Sequence, residues 1–184
     1  MYYVCNLLAG KLFPDFSLVE LKSRMEMRLS DVMKKAGPGP LVVNFGSCSC
    51  PTFMAELGEY VALVDKEYFT CRAFQSSNHQ KLSDVSVCVN LYATFLCTSE
   101  SSTFKIYQYS RQDINFILVY VEEAHAVDTG DFALDSGYPQ MKQPTSIEER
   151  LSNASALAEH TDIPIYVDTI YNWGQSLYGA FPER

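Results

Sequence analysis

The chain has 184 residues, 47% of them apolar and 20% charged, which suits one globular domain with an ample core and argues against a second. A formal charge of −8 and an isoelectric point near 4.8, with no cluster of lysine or arginine to offset them, repel phosphate backbones and set nucleic acid aside as a partner. Six cysteines (Cys5, Cys48, Cys50, Cys71, Cys88, Cys97) are unevenly spaced in a chain too long to depend on disulfides, which points to a reducing compartment.

Met1 to Ala9 is apolar, but Lys11 ends the run well short of the roughly 20 residues that span a bilayer, so no transmembrane helix is expected. Residues 17–36 then read as a helix. Ser17 and Glu20 have capping-box spacing, Phe16 and Leu21 are placed for a hydrophobic staple, and Gly37 stands where a left-handed cap belongs. Leu18, Leu21, Met25, Leu29, Val32 and Met33 make one stripe at helical spacing, expected to pack on the domain or, failing that, to pair two copies or lie on a membrane surface. Gly37-Pro38-Gly39-Pro40 forces a break.

Leu41-Val42-Val43-Asn44-Phe45 reads as a strand running through Gly46-Ser47-Cys48-Ser49-Cys50 into a helix opened by Pro51 and extending from Thr52 to about Glu67. Proline suits the first helical position, which makes Cys50 the N-cap. Its sulfur would face unpaired N–H groups and the positive end of the helix dipole, the setting that lowers a thiol pKa and populates the thiolate. Cys50 is the candidate nucleophile; Cys48, on the same loop, would resolve an oxidised Cys50 or stand by, with Ser47 as an auxiliary. Farther on, Phe74 to Asp84 is polar and rich in Ser and Gln, and Ser86 to Cys97 would make a passable strand.

Phe116 to Val121 is continuously apolar, as expected of a parallel strand covered on both faces. A right-handed crossover through the preceding helix brings the C-terminal ends of both strands to one sheet edge, where Cys50 meets Glu122-Glu123-Ala124-His125. Strand alternation puts Glu122 and Glu123 on opposite sides, so at most one faces the sulfur. His125, at the mouth of this strand, is a functional candidate; His79 and His160 are read as solvated or structural. Ser146-Ile147-Glu148-Glu149 is a second capping box, and Ile147, Leu151, Ala154, Leu157 and Ala158 give an apolar face to a helix reaching about His160. Asn153-Ala154-Ser155 matches a glycosylation pattern by chance. Ile163 to Asp168 makes a third strand, and Trp173 is assigned to packing.

Three motifs in order, Gly46-Ser47-Cys48-Ser49-Cys50-Pro51-Thr52-Phe53, Tyr120-Val121-Glu122-Glu123-Ala124-His125 and Tyr178-Gly179-Ala180-Phe181-Pro182-Glu183-Arg184, resemble those of the iodothyronine deiodinases, thioredoxin-like oxidoreductases that carry selenocysteine where this chain has Cys50. The resemblance implies an α/β thioredoxin-like fold and reductive deiodination of an iodothyronine by the Cys50 thiolate. Glu123 would be the carboxylate beside the sulfur, His125 its partner in proton handling, and Glu122 and Glu183 substrate-site candidates. No metal or bound cofactor is implied, only a thiol reductant as cosubstrate. Pro144 stands where the family has a histidine.

The resemblance further implies a juxtamembrane segment at 1–16 and a catalytic domain at 17–184, with an insertion at about 70–111. That insertion would be a lid, an added edge strand, a disordered tract or the read-through of a segment normally removed. Glu183-Arg184 match the point where the fold begins its last β-hairpin and closing helix, which leaves a sheet edge uncovered. Membrane association and a homodimer are implied by the resemblance alone; the chain itself reads as cytoplasmic. Two other readings fit the same cleft: a thiol peroxidase of peroxiredoxin or glutathione-peroxidase type, and an inactive short isoform. A dithiol reductase is disfavoured because position 53 is Phe.

Overall fold

The computed structural model describes residues 14–37, 41–64, 68–74, 88–89, 104–110, 114–129 and 139–180. Two apolar runs form its centre. β3 (Leu41–Gly46) and β7 (Asn115–Tyr120) pair in parallel over their whole lengths, from Leu41 opposite Asn115 to Gly46 opposite Tyr120. α2 (Pro51–Val64) follows β3 directly, and β8 (Ile165–Asp168) adds in parallel on the far side of β7.

β7 shows why this sheet lies inside the molecule. Phe116, Leu118 and Tyr120 point into one core, shared with Phe53, Leu57 and Tyr60 of α2 and with Leu151, Ala154 and Leu157 of α3 (Ile147–Leu157). Ile117, Val119 and Val121 point into a second, shared with Leu29 and Val32 of α1 (Leu29–Ala36) and Tyr178 of α4 (Trp173–Tyr178). A strand apolar on both faces thus has a helix pair over each, giving three layers with a thioredoxin-like parallel centre.

Residues 17–36 are not one helix. They form an antiparallel pair, β1 (Ser17–Glu20) and β2 (Glu26–Arg28), and only then α1. β1 lies antiparallel to β8, so Leu18 enters one core and Val19 the other. Burial of successive residues on opposite faces is what a central strand provides. Arg24 sits at φ 60, a left-handed turn that a continuing helix excludes. The capping-box residues serve elsewhere: Glu20 accepts Lys35 Nζ at 2.7 Å and Ser23 Oγ at 2.5 Å. α1 is capped by Asp15, whose carboxylate accepts the Ser30 N–H at 2.9 Å, the Ser30 hydroxyl at 3.0 Å and Arg28 Nε at 3.1 Å. Leu29 and Val32 are spent on the chain's own sheet, which removes the stripe proposed for a second copy or a membrane.

Gly37 does end α1 at φ 97, its N–H returning to the Met33 carbonyl at 3.3 Å. The 70–111 stretch begins and ends in paired backbone: β4 (Tyr68–Phe74) and β6 (Phe104–Ser110) form an antiparallel ribbon with Tyr68 opposite Ser110 and Phe74 opposite Phe104. Within it, β5 (Cys88–Val89) pairs in parallel with Val42 and Val43 of β3. The sheet order is β2-β1-β8-β7-β3-β5. Among the described residues no helix is long and apolar enough to cross a membrane.

Candidate active site

β3 and β7 run side by side, so the loop after each emerges at the same sheet edge. The backbone ladder ends where Val121 N–H donates to the Gly46 carbonyl at 3.1 Å. Beyond it, serine hydroxyls take over the pairing. Ser47 Oγ accepts the Ala124 N–H at 3.3 Å, and Ser49 Oγ accepts the His125 N–H at 3.2 Å. The Cys48–Cys50 loop is thereby stitched to the segment bearing Glu123 and His125.

Cys50 sits immediately before Pro51, the first residue of α2, and acts as its N-cap: its carbonyl accepts the Met54 N–H at 3.0 Å while its own N–H closes a turn onto the Ser47 carbonyl at 3.2 Å. Gly46 lets the helix come so close. A Cβ there would lie 2.1 Å from the Phe53 ring, which fills the space instead. Cys48 and Cys50 are both buried, and neither is in a disulfide. The Cys48 thiol is fully enclosed, with Sγ 4.0 Å from the Asn153 carbonyl. Burial pushes it up to about 11; a hydrogen bond with Tyr120 opposes this and the Glu123 charge adds to it.

Glu123, only 2% exposed, is the electrostatic centre of the edge. Its Oε2 accepts the Ser49 N–H at 3.1 Å and the Ser49 hydroxyl at 2.6 Å. Its Oε1 accepts the Tyr120 hydroxyl and, at 3.2 Å, Asn153 Nδ2. Its own N–H donates to Gln143 Oε1 at 2.9 Å. Burial and the adjacent Glu123 charge drive the Tyr120 phenol pKa far upward, so this hydroxyl stays protonated and donates.

Glu122 turns the other way. Its carboxylate accepts Gln175 Nε2 at 2.8 Å and Asn172 Nδ2 at 3.1 Å, and its N–H reaches Gln175 Oε1 at 3.4 Å, which ties it to α4. The two carboxylates lie on opposite sides, as alternation predicts, but by a bend after the strand. Strict alternation from Tyr120 would put Glu122, not Glu123, on the cysteine side. Beneath both lies Arg150, fully buried, its Nη1 donating to the carbonyls of Thr169 at 2.6 Å and Asp168 at 3.3 Å. Burial lowers the Arg150 pKa, and the charges of Asp168, Glu122 and Glu123 hold it up.

The structure therefore gathers Ser47, Cys48, Cys50, Glu123 and the His125 backbone at one edge and assigns Glu122 to the neighbouring layer. Glu183 and His79 lie outside the described residues. His160 is exposed and Pro144 is buried. Trp173, expected in packing, is 56% exposed because it opens α4 at the surface. Ser146 caps α3 as expected, accepting the Glu149 N–H at 3.2 Å, but the Glu149 carboxylate returns to Thr145, at 2.7 Å from its N–H, and Ala158 is exposed. Sequence reasoning gave Ser49, Tyr120, Gln143, Asn153 and Arg150 no role. A tyrosine and an asparagine bordering apolar stripes that point at the cleft were the available signal.

A buried cysteine capping a helix straight after a central parallel strand, with a carboxylate from the adjoining strand's end, defines a thioredoxin-like α/β protein with a thiol site. The chain belongs to the iodothyronine deiodinase family, whose model, described as "Iodothyronine deiodinase", matches residues 5–75 and 88–184. The matched segments leave only 76–87 between them, a shorter stretch than the 70–111 read as an insertion. Among curated relatives, a protein named thyroxine 5-deiodinase from Ovis aries is 31% identical over 149 residues, covering 80% of this chain and 36% of the relative. Proteins of the same name from Sparus aurata (28% over 176 residues, 95% of this chain, 48% of the relative) and Gallus gallus (29% over 176 residues, 95% and 50%) are also similar. The chain thus spans between about a third and a half of these relatives' length.

Proposed function

We propose that this chain carries a thiol-dependent iodothyronine deiodinase site, with thyroxine-like compounds as the substrate class and a small or protein thiol as the reductant. The observation that carries the reading is Cys50 as N-cap of α2, inside a family-matched segment, beside a loop that bears the buried Glu123. The helix N-terminus favours a thiolate at that position. The thiolate attacks the iodine of the aryl iodide, the carbon–iodine bond breaks, and the ring carbon takes a proton, giving a sulfenyl iodide and the deiodinated ring. A first cosubstrate thiol displaces iodide to form a mixed disulfide; a second releases Cys50 and leaves as the cosubstrate disulfide. Two thiols are oxidised for each carbon–iodine bond reduced.

In this reading Glu123 and His125 convey the proton to the ring carbon, help of a kind worth about 10² to 10⁴ in rate. Cys48, enclosed and raised to about 11, stands by as a neutral thiol and leaves regeneration to the external reductant. The test is release of radioactive iodide from labelled thyroxine by the reduced protein with dithiothreitol, beside Cys50→Ala. Release that vanishes in Cys50→Ala is expected; equal release from both proteins overturns the proposal.

A further inference from the structure

Asn153, half-buried on α3, uses both protons of its amide: Nδ2 donates to Glu123 Oε1 at 3.2 Å and to the Lys142 carbonyl at 3.1 Å. Its backbone carbonyl lies 4.0 Å from Cys48 Sγ. Next to Lys142, Gln143 holds the Glu123 N–H at 2.9 Å. One helical residue thus joins the cysteine loop, the segment after β7 and the segment leading into α3. Among the described residues four donors reach the Glu123 carboxylate: Tyr120 from the same strand end, two from Ser49 on the cysteine loop, and Asn153 from the helix layer. Asparagine is among the weaker helix formers, and alanine would favour an isolated helix here, so what this position gains is the amide's pairing.

The geometry points to Asn153 as a positioning residue that sets the orientation of the Glu123 carboxylate beside the cysteine loop; its effect on turnover rests on the deiodination proposed above. Tyr120 holds Oε1 from the strand end and Ser49 holds Oε2 from the cysteine loop, and the Asn153 amide adds the bond that draws Oε1 toward α3. Asn153→Ala removes that bond and leaves Oε1 with Tyr120. Asn153→Asp keeps the shape but sets an acceptor against an acceptor.

The experiment uses the full chain with carboxyl-labelled glutamate, the Glu123 infrared band being identified by its loss in Glu123→Gln, together with kcat and KM for iodide release from labelled thyroxine. Asn153→Ala should shift the Glu123 band and lower kcat about tenfold or more, with KM changed by less than about twofold. Asn153→Asp should lose more than Asn153→Ala, although a packing role would rank the isosteric variant as the milder. An unmoved band overturns the inference, and so does a moved band with unchanged kcat. If the unaltered chain releases no Cys50-dependent iodide, the deiodination reading fails by itself; the band then decides alone whether Asn153 holds Glu123.

Discussion

Gly46→Ala places a methyl group 2.1 Å from Cδ2 and 2.3 Å from Cγ and Cε2 of the Phe53 ring, against an ordinary contact of roughly 3.4 to 4 Å. The collision is with the middle of the ring rather than a flexible tip, so the ring must withdraw by more than an ångström. Phe53 is packed in the α2–α3 core and starts only two residues into the helix, so α2 must move with it. Overpacking of this kind costs about 1 to 3 kcal/mol. Cys50, three residues before Phe53, moves off its place beside the Ser47–Ser49 turn, so iodide release falls more than stability requires. Urea unfolding and Cys50-dependent iodide release measure the two effects. Phe53→Ala in the same chain removes Cγ and the ring and so makes room for the methyl group, and the pair should couple by at least about 0.5 kcal/mol. Gly46→Ala within about 0.3 kcal/mol of the parent, or a strictly additive double variant, refutes the argument.

With its thiol near 11, about one Cys48 in a thousand is thiolate at pH 8. Iodoacetamide should therefore label Cys48 in Cys50→Ala slowly, the rate rising about tenfold per pH unit until near 11; a plateau by pH 9 contradicts the assignment. Partial burial acts to raise the Asp15 pKa, but the Ser30 N–H and the Arg28 guanidinium outweigh it and hold it below 3.8. A depressed carboxylate stabilises the fold above its unfolded value and loses that contribution as pH falls through its folded one. Asp15→Ala should thus lower stability by about 1 kcal/mol at pH 7, with the gap from the parent closing below about pH 3.8 in urea melts; a gap constant with pH is the contrary result.

Where local pattern and burial demanded the same structure, the sequence was legible. The run from Leu41 into Pro51, the doubly apolar Phe116–Val121 and the Ser146 cap each carried one meaning, and β3, α2, β7 and α3 followed. Residues 17–36 carried two. Leu18, Leu21 and Met25 keep helical spacing, yet Leu18 and Val19 are both needed, on opposite faces, by a strand wedged between β8 and β2. That demand comes from β8, well over a hundred residues away, and no local pattern contains it. At the site, the meeting of Cys50 with the segment after β7 was legible because topology brings two strand ends together, whereas Glu123 rather than Glu122 was indicated by the resemblance alone and faces the cysteine loop through a bend that alternation does not contain. Ser49, Tyr120 and Asn153 were not, because their roles depend on which way a side chain leans after the strand has ended.

The handover from backbone ladder to serine hydroxyls just past Gly46 determines how the thiol loop can give. A peptide carbonyl in a ladder cannot turn without its neighbours, whereas a hydroxymethyl group rotates and exchanges partners by itself. The turn from Ser47 to Ser49 is therefore tied to its neighbours through side chains, by these two hydroxyls and by Tyr120 and Glu123, which accept the N–H groups of Cys48 and Ser49, while the strands beneath are tied through their backbones. In the proposed cycle the sulfur bears first an iodine and then a second sulfur, two loads of different bulk and reach. Side-chain ties of this kind place that accommodation in a single turn of chain.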